Sequence, residues 1–139
     1  SVHSADAQGL ILRLPYSTQI IGNPETGVIH GGAITTLMDT TCGISTVCVL
    51  PEFEICPTLD LRIDYMHPAE PHKPVYGFAQ CYRVTTDVIF TRGFAYQDDP
   101  QQPIAHVVGI LTTVFTAYTV TRYIVSLWVG WAKPKEVPL

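Results

Sequence analysis

The apolar positions along the chain change period several times, and each change marks an element. Leu10, Leu12 and Leu14 stand in alternation, which predicts a short strand over Gln8 to Leu14. The turn-forming run Gly22-Asn23-Pro24-Glu25-Thr26-Gly27 follows as a loop. From Gly31 to Leu50 the apolar residues Ile34, Leu37, Met38, Cys42, Ile44, Val47 and Cys48 recur mostly at three- or four-residue steps. That spacing predicts a helix buried over much of its circumference, ended by Pro51. Gly31, Gly32, Gly43 and the threonines of this stretch are weak helix formers, so tertiary packing has to hold it. Beyond Pro51 the period becomes two. Leu59, Leu61, Ile63 and Tyr65 alternate with Asp60, Arg62 and Asp64, the pattern of a half-buried strand. A proline-rich connection from His67 to Pro74 precedes three more strand-like runs, Val75 to Thr85, Val88 to Gln97 and Ile104 to Phe115. The short links Thr86-Asp87 and Asp98-Asp99-Pro100 imply antiparallel neighbours. The expectation is an α+β layer: one strand, one long helix, then four strands as an antiparallel meander. The last run is apolar on both faces, which suits a covered strand or an interface.

With 139 residues the chain holds one domain, read here as residues 1–117, followed by a tail over 118–139. Charged residues make up only 14%, a low share that suggests surface covered by another subunit. The net charge is −4 and the only basic cluster is the Lys133/Lys135 pair, which argues against a nucleic-acid binder. Cys42, Cys48, Cys56 and Cys81 form no C-x-x-C pair, so they read as thiols in a reducing, cytoplasmic compartment rather than as a zinc site. No charged segment followed by an apolar run opens the chain, so no signal peptide is expected. Between Val107 and Ala132 the only ionic residue is Arg122. That is the length of a membrane span, but five threonines and the many Val, Ile and Tyr residues favour strand. The stretch is therefore read as a strand to Phe115 and then a tail, with no membrane contact. His3, His67, His72 and His106 lack metal-ligand spacing, so neither a metal nor another cofactor is expected.

The chemistry concentrates in Gly27-Val28-Ile29-His30-Gly31-Gly32 and in Asp39. Glycines at a helix start admit a ligand close to the backbone, and the first helical turn carries unpaired N–H groups and partial positive charge. Together they suit a developing oxyanion. Asp39 lies among Leu37, Met38 and Cys42, where a carboxylate is costly unless paired or functional. Thr35, Thr36, Thr40 and Thr41 are the alternative, purely structural partners for it. His30 and Asp39 are nine residues apart, or about 13 Å along a helix axis. A base and an oxyanion donor acting on one carbonyl must lie within a few ångströms of it. One helix cannot easily supply both. Two antiparallel copies can, so the spacing predicts a homodimer with two shared sites.

These segments, with Leu37-Met38-Asp39 and the run Pro57-Thr58-Leu59-Asp60-Leu61-Arg62-Ile63-Asp64-Tyr65-Met66-His67-Pro68-Ala69, resemble the hotdog-fold thioesterases of the phenylacetic-acid-degradation type. The resemblance runs from about Gln8 to Thr116. It implies a central helix wrapped by a curved antiparallel sheet, dimers with a continuous sheet, and often dimers of dimers. It implies hydrolysis of acyl-CoA thioesters. By the same resemblance, the Gly31 N–H polarises the thioester carbonyl, and His30 and Gly32 shape that end. The partner's Asp39 activates water or attacks directly, and Thr58 positions the water.

Three features depart from that pattern. Where the family often has Asn or Gln six residues before the histidine, this chain has Pro24, and Asn23 is the displaced candidate for substrate binding. Strict alternation places Thr58 with Asp60 and Arg62, away from the leucines, so a bend near Pro57 is needed. The tail, with Trp128 and Trp131, has no counterpart in the family pattern. Arg62 and Arg92 are the candidates for CoA phosphates, since phosphate recognition favours arginine. Rival readings are a non-catalytic acyl-CoA-binding module, a hotdog dehydratase or hydratase, and a scaffold.

Overall fold

The computed structural model describes residues 1–52, 54–112 and 114–132. In chain order the elements are β1 (Val2–Asp6), β2 (Gly9–Leu14), β3 (Ile21–Asn23), β4 (Val28–Ile29), α1 (Gly31–Ser45), β5 (Thr58–Tyr65), β6 (Val75–Val84), β7 (Val88–Tyr96), β8 (Ala105–Thr112) and α2 (Val114–Ala132). A single turn of 3-10 helix, Thr46–Cys48, continues α1 towards Pro51. Each strand foreseen from the alternation is present, within a few residues of its expected ends.

The main sheet is antiparallel, with strand order β1-β2-β6-β7-β8-β5. The order corrects the expected four-strand meander. Strands β6, β7 and β8 do form one, but β5 pairs with β8 rather than with β6. The proline-rich link after β5 therefore crosses the sheet instead of turning back beside it. A further strand, β1, joins β2 through a tight turn in which the Asp6 carboxylate accepts from the Gln8 and Gly9 amides. It has no clear apolar alternation, so the pattern did not announce it.

Helix α1 lies on one face of this sheet, against β6, β2 and β7, and also touches β5 and β8. This is the hotdog arrangement. Its buried side chains include Ile34, Leu37, Met38 and Cys42, which pack on Leu10, Leu12, Val75 and Val107. The close approach depends on small residues along the sheet. A Cβ added at Gly77 would lie 3.0 Å from both the Met38 sulfur and the Thr41 hydroxyl. The threonines that weaken α1 on propensity close back onto it. The hydroxyls of Thr35, Thr36 and Thr41 donate to the carbonyls of Gly31, Gly32 and Leu37, one turn earlier.

Strand β8 stops three residues short of the expected Phe115. At that point its neighbours run out: Thr112 pairs with Val88 and Leu111 with Thr58, the first residues of β7 and β5. Without a ladder on either side, strand-favouring residues have nothing to pair with. The chain continues instead as α2, which exposes Tyr123, Ile124, Val125, Leu127, Trp128 and Trp131. Among the described residues no helix is long and apolar enough to cross a membrane. The Lys133/Lys135 pair falls outside the described residues.

Candidate active site

The loop before α1 sets the position of His30. The Gly27 amide donates to the Asn23 carbonyl at 2.9 Å, and Gly27 takes a left-handed φ of 71° that favours glycine. Tyr16 clamps the same turn by donating to the Gly27 carbonyl at 2.9 Å. The His30 amide then bonds the Ile20 carbonyl. Gly22 leaves room for this pairing, since a Cβ there would come within 2.9 Å of the His30 Cα. The Asn23 side chain accepts from the Glu25 amide at 3.0 Å, so it shapes the turn.

His30 is the N-cap of α1. It has an extended backbone, and its Nδ1 accepts from the Gly32 amide at 2.9 Å. An accepting Nδ1 is unprotonated, so a neutral ring carries its hydrogen on Nε2, facing outward. The Ala33 amide closes onto the His30 carbonyl. Of the first three amides of the helix, Gly32 and Ala33 are thus occupied. Among the described residues no acceptor meets the Gly31 N–H. Among the described residues the geometry leaves one donor without an acceptor at the positive end of the helix, the Gly31 N–H. Gly32 contributes space rather than a free donor: a Cβ on it would lie 2.9 Å from the His30 ring.

Asp39 sits two turns further on and is half-buried. Its Oδ1 accepts from the Thr58 hydroxyl at 2.8 Å. Among the described residues no cation pairs with it, and its other oxygen meets no donor. Thr35, Thr36 and Thr41, its potential structural partners, bond backbone carbonyls instead. An unpaired carboxylate with one lone-pair face free can accept a proton from water or attack a carbonyl.

Thr58 reaches Asp39 because β5 carries a bulge. Thr58 pairs with Leu111 and Asp60 with Ile110, so Leu59 is an extra residue on β5. The bulge turns Thr58 onto the helix side of the sheet, with Leu61, Ile63 and Tyr65. The expected bend near Pro57 is therefore a bulge at Leu59. At the other end of the strand, the Tyr65 hydroxyl donates to the Gly31 carbonyl at 2.7 Å and lies 2.8 Å from the Thr35 hydroxyl. Tyr65 was not singled out from sequence, although its place in the alternation with Leu61 and Ile63 already put it on the helix side.

Arg62 and Arg92 are not brought to this site. Both alternate onto the sheet face away from α1. Arg62 pairs with Asp64 at 3.1 Å, and the Arg92 guanidinium stands 5.6 Å over the Tyr82 ring.

Comparison with known proteins adds a family context. Residues 26–104 match the thioesterase superfamily, a span that includes His30, Gly31, Asp39, Thr58 and Tyr65. A crystal structure of a Pseudomonas aeruginosa protein is 83% identical, with 81% of this chain and 83% of that one covered and a TM-score of 0.75. A Halobacterium salinarum protein assigned as an esterase is 35% identical over 72 residues. Those residues are 50% of this chain and 48% of that protein, so the match spans about half the length of this curated relative. A Ralstonia eutropha protein described as related to phenylacetic acid degradation is 21% identical, covers 81% and 83%, and has a TM-score of 0.70. A Streptococcus mutans protein solved bound to acetyl CoA is 17% identical, covers 82% and 87%, and has a TM-score of 0.71. The last two likenesses concern the fold alone.

Proposed function

Because this chain belongs to the thioesterase superfamily, we infer that it hydrolyses acyl-CoA thioesters to the free acid and CoA, as an enzyme of the phenylacetic-acid-degradation type. The observation that carries this reading is the Gly31 N–H, the one early amide of α1 left without an acceptor among the described residues. In the reaction it donates to the thioester carbonyl oxygen and, as the tetrahedral intermediate forms, to the oxyanion. Asp39 removes the proton from the attacking water, or attacks the carbonyl itself, and Thr58 keeps the carboxylate aimed. The CoA thiolate leaves and takes up the proton that Asp39 removed from water. Where Asp39 attacks the carbonyl itself, the thiolate is protonated by solvent and a water then hydrolyses the acyl anhydride to the free acid. The acetyl CoA bound to the Streptococcus mutans protein supports a CoA thioester as the substrate class.

The active unit in this reading is a dimer. Strand β5 is an edge of the sheet, with Thr58 beside Asp39 at one end and Tyr65 beside Gly31 at the other. Two copies of β5 paired antiparallel bring the Thr58 end of one subunit against the Tyr65 end of the other. Asp39 of each subunit then faces the Gly31 end of its partner, which answers the separation of about 12 Å along a single helix. The exposure of Leu59 (62%) and Met66 (55%) along this edge fits such a covering.

The test is thiol release from a panel of acyl-CoAs, from short aliphatic to aryl, by the native chain and by Asp39→Asn. We expect turnover on at least one member and a loss of about a hundredfold or more in the variant. Turnover that ignores the substitution would remove Asp39 from the mechanism. Acyl-CoA binding by a folded dimer without any thiol release would favour the non-catalytic binding module.

A further inference from the structure

Gly31 and Gly32 are adjacent glycines at the point where a donor must be aimed at a reacting oxygen. Glycine has the widest backbone freedom of any residue, and a donor displaced by a fraction of an ångström loses much of its effect. Something outside the helix has to hold this turn, and the peptide between the two glycines is in fact gripped at both of its polar ends. Its N–H, on Gly32, donates to His30 Nδ1 at 2.9 Å. Its carbonyl, on Gly31, accepts from the Tyr65 hydroxyl at 2.7 Å, and the Thr35 hydroxyl lies 3.2 Å from the same oxygen. The two hydroxyls are 2.8 Å apart, so Thr35 can also orient the Tyr65 proton. The tyrosine stands where a side chain at position 31 would project: a Cβ built on Gly31 would lie 3.3 Å from its oxygen. Gly31 and Tyr65 also line one groove, whose apolar wall includes Ile29, Ile34 and Met66. The gripped turn therefore faces a concavity open to a ligand.

We propose that Tyr65 is a positioning residue, which fixes the Gly31–Gly32 peptide so that the neighbouring Gly31 N–H points at the thioester oxygen. The role rests on the acyl-CoA thioesterase reading. Its hydroxyl is spent on the Gly31 carbonyl, so Tyr65 acts on the reacting oxygen through that peptide. It gives β5 a function at each end, with Thr58 holding the base of one site and Tyr65 holding the donor of the other.

Tyr65→Phe keeps the ring and removes the donor. We expect kcat to fall about tenfold, with KM changed by less than about twofold and the circular dichroism of the native fold retained. The decisive readout is a cycle with Gly31→Pro. Proline removes the N–H at the first helical position and fits the helix there, and its Cβ needs the Tyr65 oxygen to give way by a few tenths of an ångström. Tyr65→Phe, which removes that oxygen, should therefore cost nothing further in that background. Equal losses in both backgrounds would mark a general structural role and overturn the proposal, as would a folded Tyr65→Phe with native kcat. A second probe needs no turnover: the carbonyl stretch of 13C-labelled acetyl-CoA bound to Asp39→Asn should move towards its solution frequency when Tyr65→Phe is added. If the native chain releases no thiol from any acyl-CoA, the functional reading fails on that result alone, and the carbonyl band decides on Tyr65. A band unmoved by Tyr65→Phe, or no binding of acetyl-CoA, then overturns the role.

Discussion

The two ends of the site on α1 are built by opposite means. At the N-terminus, His30, Tyr65, Thr35 and the Ala33 amide occupy the polar groups of the first turn until one amide, that of Gly31, is left without an acceptor among the described residues. Two turns later Asp39 is held by a single hydrogen bond from Thr58, with no cation beside it among the described residues. A donor that acts by its direction is over-determined by its surroundings. The carboxylate keeps one oxygen without a donor among the described residues.

The contrast can be broken by removing each end in turn. Gly31→Pro deletes the open donor while keeping a helix start, and kcat should drop by about a hundred- to a thousandfold in a steady-state assay. Mixing Gly31→Pro with Asp39→Asn subunits sharpens the point. If each site takes one end from each subunit, random exchange should restore about a quarter of native activity, because half the dimers carry one intact site. No recovery, with exchange confirmed by mass spectrometry, would place both ends in one chain. Thr58→Val keeps the branched shape and removes the hydroxyl bonded to Asp39; about a tenfold loss in kcat is expected, without a change in the far-ultraviolet circular dichroism. His30→Ala should act on folding and, by releasing the Gly32 end of the gripped peptide, also lower kcat by about tenfold, as Tyr65→Phe does. It removes the cap, which is worth about 1 kcal/mol and lowers the melting temperature by about 4 °C in calorimetry. The smallest response should come from Cys42. Burial, partly offset by a hydrogen bond with Thr91, pushes its thiol up to about 11. It stays protonated at neutral pH, so iodoacetamide should leave it unlabelled in the folded protein and label it only after denaturation.

Much of this design was legible from residue order alone. The three- and four-residue spacing from Ile34 to Cys42 gave the helix, the alternation from Leu59 to Tyr65 gave β5, and the glycines beside His30 pointed to the open amide. What escaped was non-local. The pairing of β5 with β8 depends on how a long connection crosses the sheet, and short links inform only about neighbours in sequence. The stop of β8 at Thr112 depends on the lengths of its partner strands, while Val114 and its neighbours taken alone favour strand. Thr58 came from the family resemblance, and alternation alone put it on the other face because it assumes an unbroken pleat. Tyr65 was legible as geometry but not as chemistry, because an aromatic residue in a half-buried strand ordinarily just packs.

The bulge at Leu59 has an arithmetic consequence. In a regular strand two residues share a face only when their separation is even, and Thr58 and Tyr65 are seven apart. Both can look at α1 only because the strand skips a count between them. Leu59 is 62% exposed, and no hydrogen bond of its side chain recommends it for attention. Yet the parity of β5, and with it the ability of one strand to face both ends of the helix, rests on its being bulged out of the ladder. Deleting that leucine would put Thr58 and Tyr65 an even count apart and keep both on the helix side, whereas drawing it into the ladder would turn Thr58 away from Asp39.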